Sequence, residues 1–213
     1  MAGGLEDAQR ETLAVLDQLV AEVEPGVSER ELAARALELA RERGASGVWT
    51  PIAVGAGPGN LVCHPDYPPT DRRVAAVDLV WLDVTPEFDG WPGDATRSVV
   101  VGVDPVRERI VADCTRILDA TVAAIEPGMP ARELFGVARG LLDRDGYELL
   151  DLLGNIGHDL DRGGAVAGYI DPRNETPMWG CWAIEPHIGL NGIGAKVEEL
   201  VWIGEDGVRV IGA

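Results

Sequence analysis

Two stretches of this chain decide its fold: residues 24–44, EPGVSERELAARALELARERG, and residues 126–146, EPGMPARELFGVARGLLDRDG. Set against each other at a constant offset of 102, they share nine residues, Glu24, Pro25, Gly26, Arg30, Glu31, Leu32, Ala36, Leu39 and Gly44 each meeting an identical partner. Each copy opens on a Glu-Pro-Gly turn and then carries apolar residues at helical steps. In the first copy Ser28 is placed to cap the helix, with Glu31 three residues on completing a capping box.

The repeat extends in both directions. A helix over 5–23 precedes the first copy, with Leu13, Leu16, Leu19, Val20 and Val23 on one face, and a helix over 104–125 precedes the second, with Ile110, Cys114, Ile117, Leu118, Val122 and Ile125. Downstream, Gly102-Val103-Asp104 falls opposite Gly204-Glu205-Asp206. A duplication of about 100 residues is too long for a solenoid unit. Strands are expected in the β-branched and aromatic runs 77–85, 97–103, 180–188 and 197–203. The expectation is one α+β domain over 1–213, with pseudo-repeats at about 5–104 and 105–213, outer helices, and a cleft on the pseudo-twofold axis.

Composition narrows the function. The chain has 213 residues, 46% of them hydrophobic, enough for a sizeable core, and no apolar run long enough for a membrane span. Asp and Glu number 36 against 18 Lys and Arg, for a net charge of -18, and Lys196 is the single lysine. Such acidity repels nucleic-acid backbones and anionic lipid. The N-terminus lacks the basic and apolar regions of a secretion signal, so the cytoplasm is the expected compartment. Cys63, Cys114 and Cys181 match no metal-binding spacing and read as small apolar residues.

Most of the acids belong to a solvated surface, but two interrupt apolar strand runs: Asp83 in Leu79-Val80-Trp81-Leu82-Asp83-Val84, and Glu185 in Cys181-Trp182-Ala183-Ile184-Glu185-Pro186. The repeat offset pairs them across the symmetry axis. Asp94 follows Asp83 across the turn-rich Phe88-Asp89-Gly90-Trp91-Pro92-Gly93, and Glu198 lies in Val197-Glu198-Glu199-Leu200-Val201. Four converging carboxylates cannot all stay ionised without cations. A pair of divalent metals explains them, with His158, after Gly154-Asn155-Ile156-Gly157, as the fifth ligand. Oxygen donors with one imidazole favour manganese, iron(II) or cobalt, with zinc a further candidate.

This pattern resembles the pita-bread (M24-type) metallopeptidases, the family of methionine aminopeptidase, aminopeptidase P, prolidase and creatinase. Asp83-Val84-Thr85 and Gly93-Asp94-Ala95-Thr96 look like its two aspartate motifs, Gly157-His158 like its histidine motif, Ile184-Glu185-Pro186 like its glutamate-proline motif, and Val197-Glu198 like its last ligand. The resemblance implies the pita-bread fold, with a curved antiparallel sheet, and hydrolysis assisted by two metal ions on Asp83, Asp94, His158, Glu185 and Glu198. It implies that Glu185 carries the proton from water to the leaving amine, and that His64, in Cys63-His64-Pro65, binds substrate or shuttles protons.

The family's second cleft histidine corresponds here to Ala165. His187 stands two residues after Glu185, and alternate residues of a strand share a face, so His187 is a candidate replacement. Cys63-His64-Pro65 and Pro69-Thr70-Asp71-Arg72-Arg73 look like the aminopeptidase P branch, whereas the chain starts directly at the repeat, without the extra N-terminal domain of that branch. The resemblance implies an Xaa-Pro aminopeptidase acting on small peptides, with a homodimer as a possible state. A creatinase-like hydrolase of small-molecule C–N or amide bonds, or a binding module on the same fold, are the alternatives.

Overall fold

The structure, a computed structural model, describes residues 2–63 and 67–212. His64 therefore lies outside the described residues. Helices α1 (Ala2–Ala21) and α2 (Glu29–Glu42) open the first half, and α3 (Pro105–Ala123) and α4 (Ala131–Asp145) open the second. Adding 102 to the bounds of α1 and α2 gives 104–123 and 131–144, each within one residue of α3 and α4.

The caps follow from the sequence. Ser28 Oγ accepts from the Glu31 amide at 3.2 Å while Glu31 Oε2 accepts from the Ser28 amide at 2.8 Å, the reciprocal pairing that satisfies two free donors of a helix start. Asp104 caps α3 by accepting from the amides of Val106 and Arg107 at 2.9 and 3.1 Å. Helix α4 ends at Gly146, whose φ of 76° is the left-handed C-terminal conformation that glycine adopts without strain.

The first half continues with strands β1 (Gly47–Val48), β2 (Ala53–Ala56), β3 (Asp78–Val84), β4 (Pro86–Phe88), β5 (Trp91–Pro92) and β6 (Ala95–Val101). The second has β7 (Glu148–Leu149), β8 (Gly157–Asp159), β9 (Gly180–Ile184), β10 (His187–Leu190), β11 (Ile193–Lys196), β12 (Glu199–Gly204) and β13 (Gly207–Val210). Their sheet orders are β2-β3-β6, β13-β12-β9-β8, β11-β10-β7 and β1-β4-β5, with every pairing antiparallel.

Strand alternation aims the site. Val80, Leu82 and Val84 of β3 pack into one core with Leu16 and Leu19 of α1 and Leu32 and Leu39 of α2. Leu79, on the opposite face, joins a second core with Ile117 of α3, Leu134 and Leu142 of α4, Ile184 and Val201. Asp83 shares the Leu79 face by the period of two, so it is directed towards the other half. The halves are sewn together along residues 96–98 and 196–198. The Glu198 amide donates to Thr96 O at 3.1 Å, and the Ser98 hydroxyl accepts from the Lys196 amide at 3.0 Å and donates to Lys196 O at 2.8 Å.

Two expected strands are interrupted. The run 180–188 is two strands separated by Glu185 and Pro186, and the run 197–203 begins two residues late, after a break at Val197 and Glu198. Pro186 has no N–H to give a ladder, and the Glu185 amide turns away to Ile156 O at 2.9 Å. The strand-alternation reason for grouping His187 with Glu185 is therefore replaced: β9 pairs with β8 and β12, whereas β10 pairs with β7 and β11.

Candidate metal centre

The structure brings Asp83, Asp94, His158, Glu185 and Glu198 to the wall of one cavity of about 250 Å³. Asp83 is inside β3 and His158 inside β8, but Asp94 immediately precedes β6, Glu185 follows β9, and Glu198 sits between β11 and β12. Three of the four carboxylates thus stand at strand breaks, where the chain leaves its ladder and can aim a side chain inward.

His158 Nδ1 lies 2.8 Å from the Asp159 carbonyl oxygen. That contact requires Nδ1 to carry the proton and leaves Nε2 with a free lone pair, the arrangement common to metal-binding histidines. Nε2 is 3.6 Å from Asp94 Oδ2 and 3.7 Å from Glu185 Oε1. Asp94, His158 and Glu198 each offer a donor atom within 4.8 Å of the others. Donors about 2.1 Å from a shared cation stand about 3–4 Å apart. Among the described residues Asp94 Oδ2 and Glu198 Oε1 find no hydrogen-bond partner though buried, a costly state that a cation relieves. The residues present fit a hard divalent metal.

Lys196, the last residue of β11, reaches into the same cluster. Its Nζ is 2.6 Å from Asp83 Oδ2, 2.7 Å from Glu185 Oε2 and 3.9 Å from Glu198 Oε2. Sequence reasoning passed over this residue, although a lone lysine two positions before a proposed ligand in an apolar run was a readable signal.

The electrostatics divide the carboxylates. Burial pushes the Asp94 carboxyl well above its ordinary range, with Glu198, Asp83 and Glu185 adding to it. Burial also raises Glu198, to about 8, although Lys196 opposes the rise. For Glu185 burial acts upward, but the Lys196 ammonium beside it outweighs that and holds the carboxyl below its usual value. Burial acts to lower the Lys196 pKa, and the surrounding Asp83, Cys63, Glu185 and Glu198 keep it well above the ordinary lysine value.

Second contacts fix the donors. Gln9 of α1 grips the Asp94 backbone from both sides, Nε2 donating to Asp94 O at 2.7 Å and Oε1 accepting from the Asp94 amide at 2.9 Å. The Thr96 hydroxyl donates to Glu198 Oε2 at 2.8 Å. Gly157 carries φ 149° and lies so close to β9 that a Cβ there would stand 2.1 Å from Ala183 O, which seats His158 tightly against the sheet. Trp49 and Tyr169 meet the His158 ring edge-on, at centroid distances of 5.8 and 6.4 Å.

His187 also lines the cavity. Its Nε2 lies 2.8 Å from Asn60 O and so carries the proton, its ring packs on Trp81, and its buried Nδ1 has no hydrogen-bond partner among the described residues. Burial lowers its pKa to about 4, so the ring is neutral near pH 7. Ala165 faces a neighbouring cavity with Asp159 and Arg162, while Val166 turns to the cavity lined by the carboxylates.

The sequence profile of metallopeptidase family M24 matches residues 3–205. An Xaa-Pro dipeptidase of Pyrococcus furiosus is 27% identical over 197 residues, covering 89% of this chain and 55% of that protein. Methionine aminopeptidase A of Synechocystis is 27% identical over 157 residues, 70% of this chain and 60% of that protein. Among solved structures, a prolidase from Pyrococcus furiosus superposes with a TM-score of 0.90 at 25% identity, over 99% of this chain and 63% of that one. The chain spans about half the length of the curated Xaa-Pro dipeptidases it matches.

Proposed function

The chain belongs to metallopeptidase family M24, and on that premise we propose that it is a metal-dependent aminopeptidase that removes the N-terminal residue from peptides with proline in second position. The observation that carries the reading is the pair of unpartnered, buried oxygens, Asp94 Oδ2 and Glu198 Oε1, beside the free Nε2 of His158. The choice of Xaa-Pro substrates is supported by likeness to an Xaa-Pro dipeptidase over 89% of the chain, against 70% for a methionine aminopeptidase.

Asp83, Asp94, His158, Glu185 and Glu198 are the residues that would hold the metal, and the set has donors enough for two divalent ions, manganese first, then cobalt, iron or zinc. When bound, such ions lower the pKa of coordinated water and polarise a carbonyl. Glu185, held below the usual carboxylate range, is ionised and can take a proton from the attacking water and return it to the leaving amine. Neutral His187 can accept a hydrogen bond at Nδ1, and His64 remains the candidate for binding the substrate carbonyl. Trp49 and Tyr169 wall the cavity beside His158. The three cysteines are unpaired, which supports a reducing, cytoplasmic setting. Among the described residues no helix is long and apolar enough to cross a membrane.

The segment after His158, which brings Val166 and Tyr169 but no second imidazole to the cavity wall, favours a second reading, hydrolysis of a small non-peptide amide. Assays of the purified chain with manganese, cobalt, iron(II) and zinc, on Xaa-Pro, Met-Xaa and non-peptide amide substrates, separate the two. Manganese-dependent release of the residue before proline is expected. Turnover confined to non-peptide amides would replace the peptidase reading, and metal binding with no turnover would leave a binding module.

A further inference from the structure

The five donors do not stand in equivalent surroundings. Asp83 and Glu185 are already joined by a cation, the Lys196 ammonium, at 2.6 and 2.7 Å. Asp94 Oδ2 and Glu198 Oε1, on the His158 side, have no partner among the described residues. The duplication sharpens the contrast, because Lys196 lies at the repeat offset from Asp94 and occupies in the second half the position that Asp94 occupies in the first. A ligand of one half is answered by a positive charge in the other.

Lys196 is enclosed, and its backbone is anchored. Its side chain is 5% exposed. Its backbone is held on both sides by the Ser98 hydroxyl, at 3.0 Å to its amide and 2.8 Å to its carbonyl. Moving the ammonium aside would leave a buried charge without its partners, a change that costs several kcal/mol. A divalent ion bridging Asp83 and Glu185 would also meet this fixed charge at contact distance. On the His158 side the nearest Lys196 contact is the 3.9 Å approach to Glu198 Oε2, which leaves Glu198 Oε1 free for a metal.

We propose that the Lys196 ammonium is the fixed second cation of this centre, so that the chain holds one divalent ion, on Asp94, His158 and Glu198 with Glu185 Oε1, instead of two. The proposal rests on the metal-centre reading above and assigns its stoichiometry. Lys196 is a positioning residue: it fixes Asp83 and one oxygen of Glu185 and leaves the other Glu185 oxygen towards His158.

The test is a metal count on the full chain. Metal-free protein titrated with Mn(II) by calorimetry, then dialysed and analysed for manganese, should hold one ion per chain. Its Mn(II) electron paramagnetic resonance spectrum should be that of an isolated ion, without the spin coupling of a close pair. The K196Q variant should take up two ions with a coupled spectrum, and K196R, which retains the charge, should stay at one. Two tightly held ions in the unaltered chain would overturn the proposal, as would a count of one in folded K196Q. If K196Q does not fold, the count and spectrum of the unaltered chain decide alone. No bound ion at all would refute the metal-centre reading itself, a different outcome from two.

Discussion

Thr96 donates a hydrogen bond of 2.8 Å to Glu198 Oε2, and the 102 residues between them equal the offset of the duplicated helices. Each is the other's counterpart, so this bond lies across the pseudo-twofold axis, as does the Lys196 bridge between the counterparts Asp83 and Glu185. The site lies where the two copies of one segment meet: Asp83 and Glu185 supply like groups at equivalent positions, whereas Asp94 and Thr96 are answered by the unlike Lys196 and Glu198.

Replacing Thr96 with Val keeps the volume and removes the donor that orients Glu198. Loss of such a contact to a metal ligand costs about 10–100-fold in metal affinity. Calorimetric titration with Mn(II) should show that weakening with little change in melting temperature; an unaltered affinity would mean that Thr96 does not orient the ligand.

Gln9 makes two buried hydrogen bonds to the Asp94 backbone. Gln9→Leu leaves that amide and carbonyl unsatisfied, a cost of about 1–3 kcal/mol for each buried group. Urea denaturation of the metal-free chain should register the loss, and a variant as stable as the parent would show that water replaces the clamp.

Asp94→Asn removes a carboxyl that burial and its acidic neighbours keep above its ordinary pKa. The metal-free variant should therefore be at least as stable as the parent. Adding Mn(II) at a hundredfold excess over its dissociation constant should stabilise the parent by about 2.7 kcal/mol and leave the variant unmoved. Thermal melts with and without metal read both effects, and metal-induced stabilisation of the variant would remove Asp94 from the ligand set.

His187 has its folded-state pKa lowered by burial from 6.5 to about 4, with Lys196 adding to the decrease and Glu185 opposing it. A depressed pKa for a base means that the folded state resists the proton more than the unfolded state does. The stabilisation is complete above pH 6.5 and fades as pH falls towards 4, by about 3 kcal/mol in all. His187→Gln should flatten this part of the acid limb of the stability profile relative to the parent. At neutral pH it should reduce turnover more than metal content, and unchanged turnover would exclude His187 from the reaction.

Gly157→Ala would force a side chain into the 2.1 Å gap to Ala183 O at a backbone angle that non-glycine residues rarely adopt. A loss of about 1–3 kcal/mol is expected from the strained backbone alone, accompanied by weaker metal binding because His158 shifts with the strand. Retained stability in chemical denaturation would show that β8 can move away from β9.

Much of this architecture was written in the order of residues. The repeat at offset 102 named the paired helices to within about three residues at each end, because local capping and apolar periodicity act within a few turns. The five clustered donors were legible for the same reason that they are costly: carboxylates in apolar surroundings stand out. The strand breaks at Glu185 and Glu198 were only partly legible: Pro186 and the Glu198-Glu199 pair interrupt the apolar runs, but only sheet pairing reveals where the ladder changes partner. Likewise, His187 could be named from its spacing to Glu185, but it reaches the cavity from another sheet.

The sequence by itself determined the duplication, the helix caps and the kinds of donor, all properties of residue type and near spacing. Only the tertiary structure decided how those donors divide. It set Lys196 between Asp83 and Glu185 and left Asp94, His158 and Glu198 open to one another. That partition depends on angstrom distances between groups up to 113 residues apart, and at such separations burial and Coulomb interaction, not chain proximity, choose the partner.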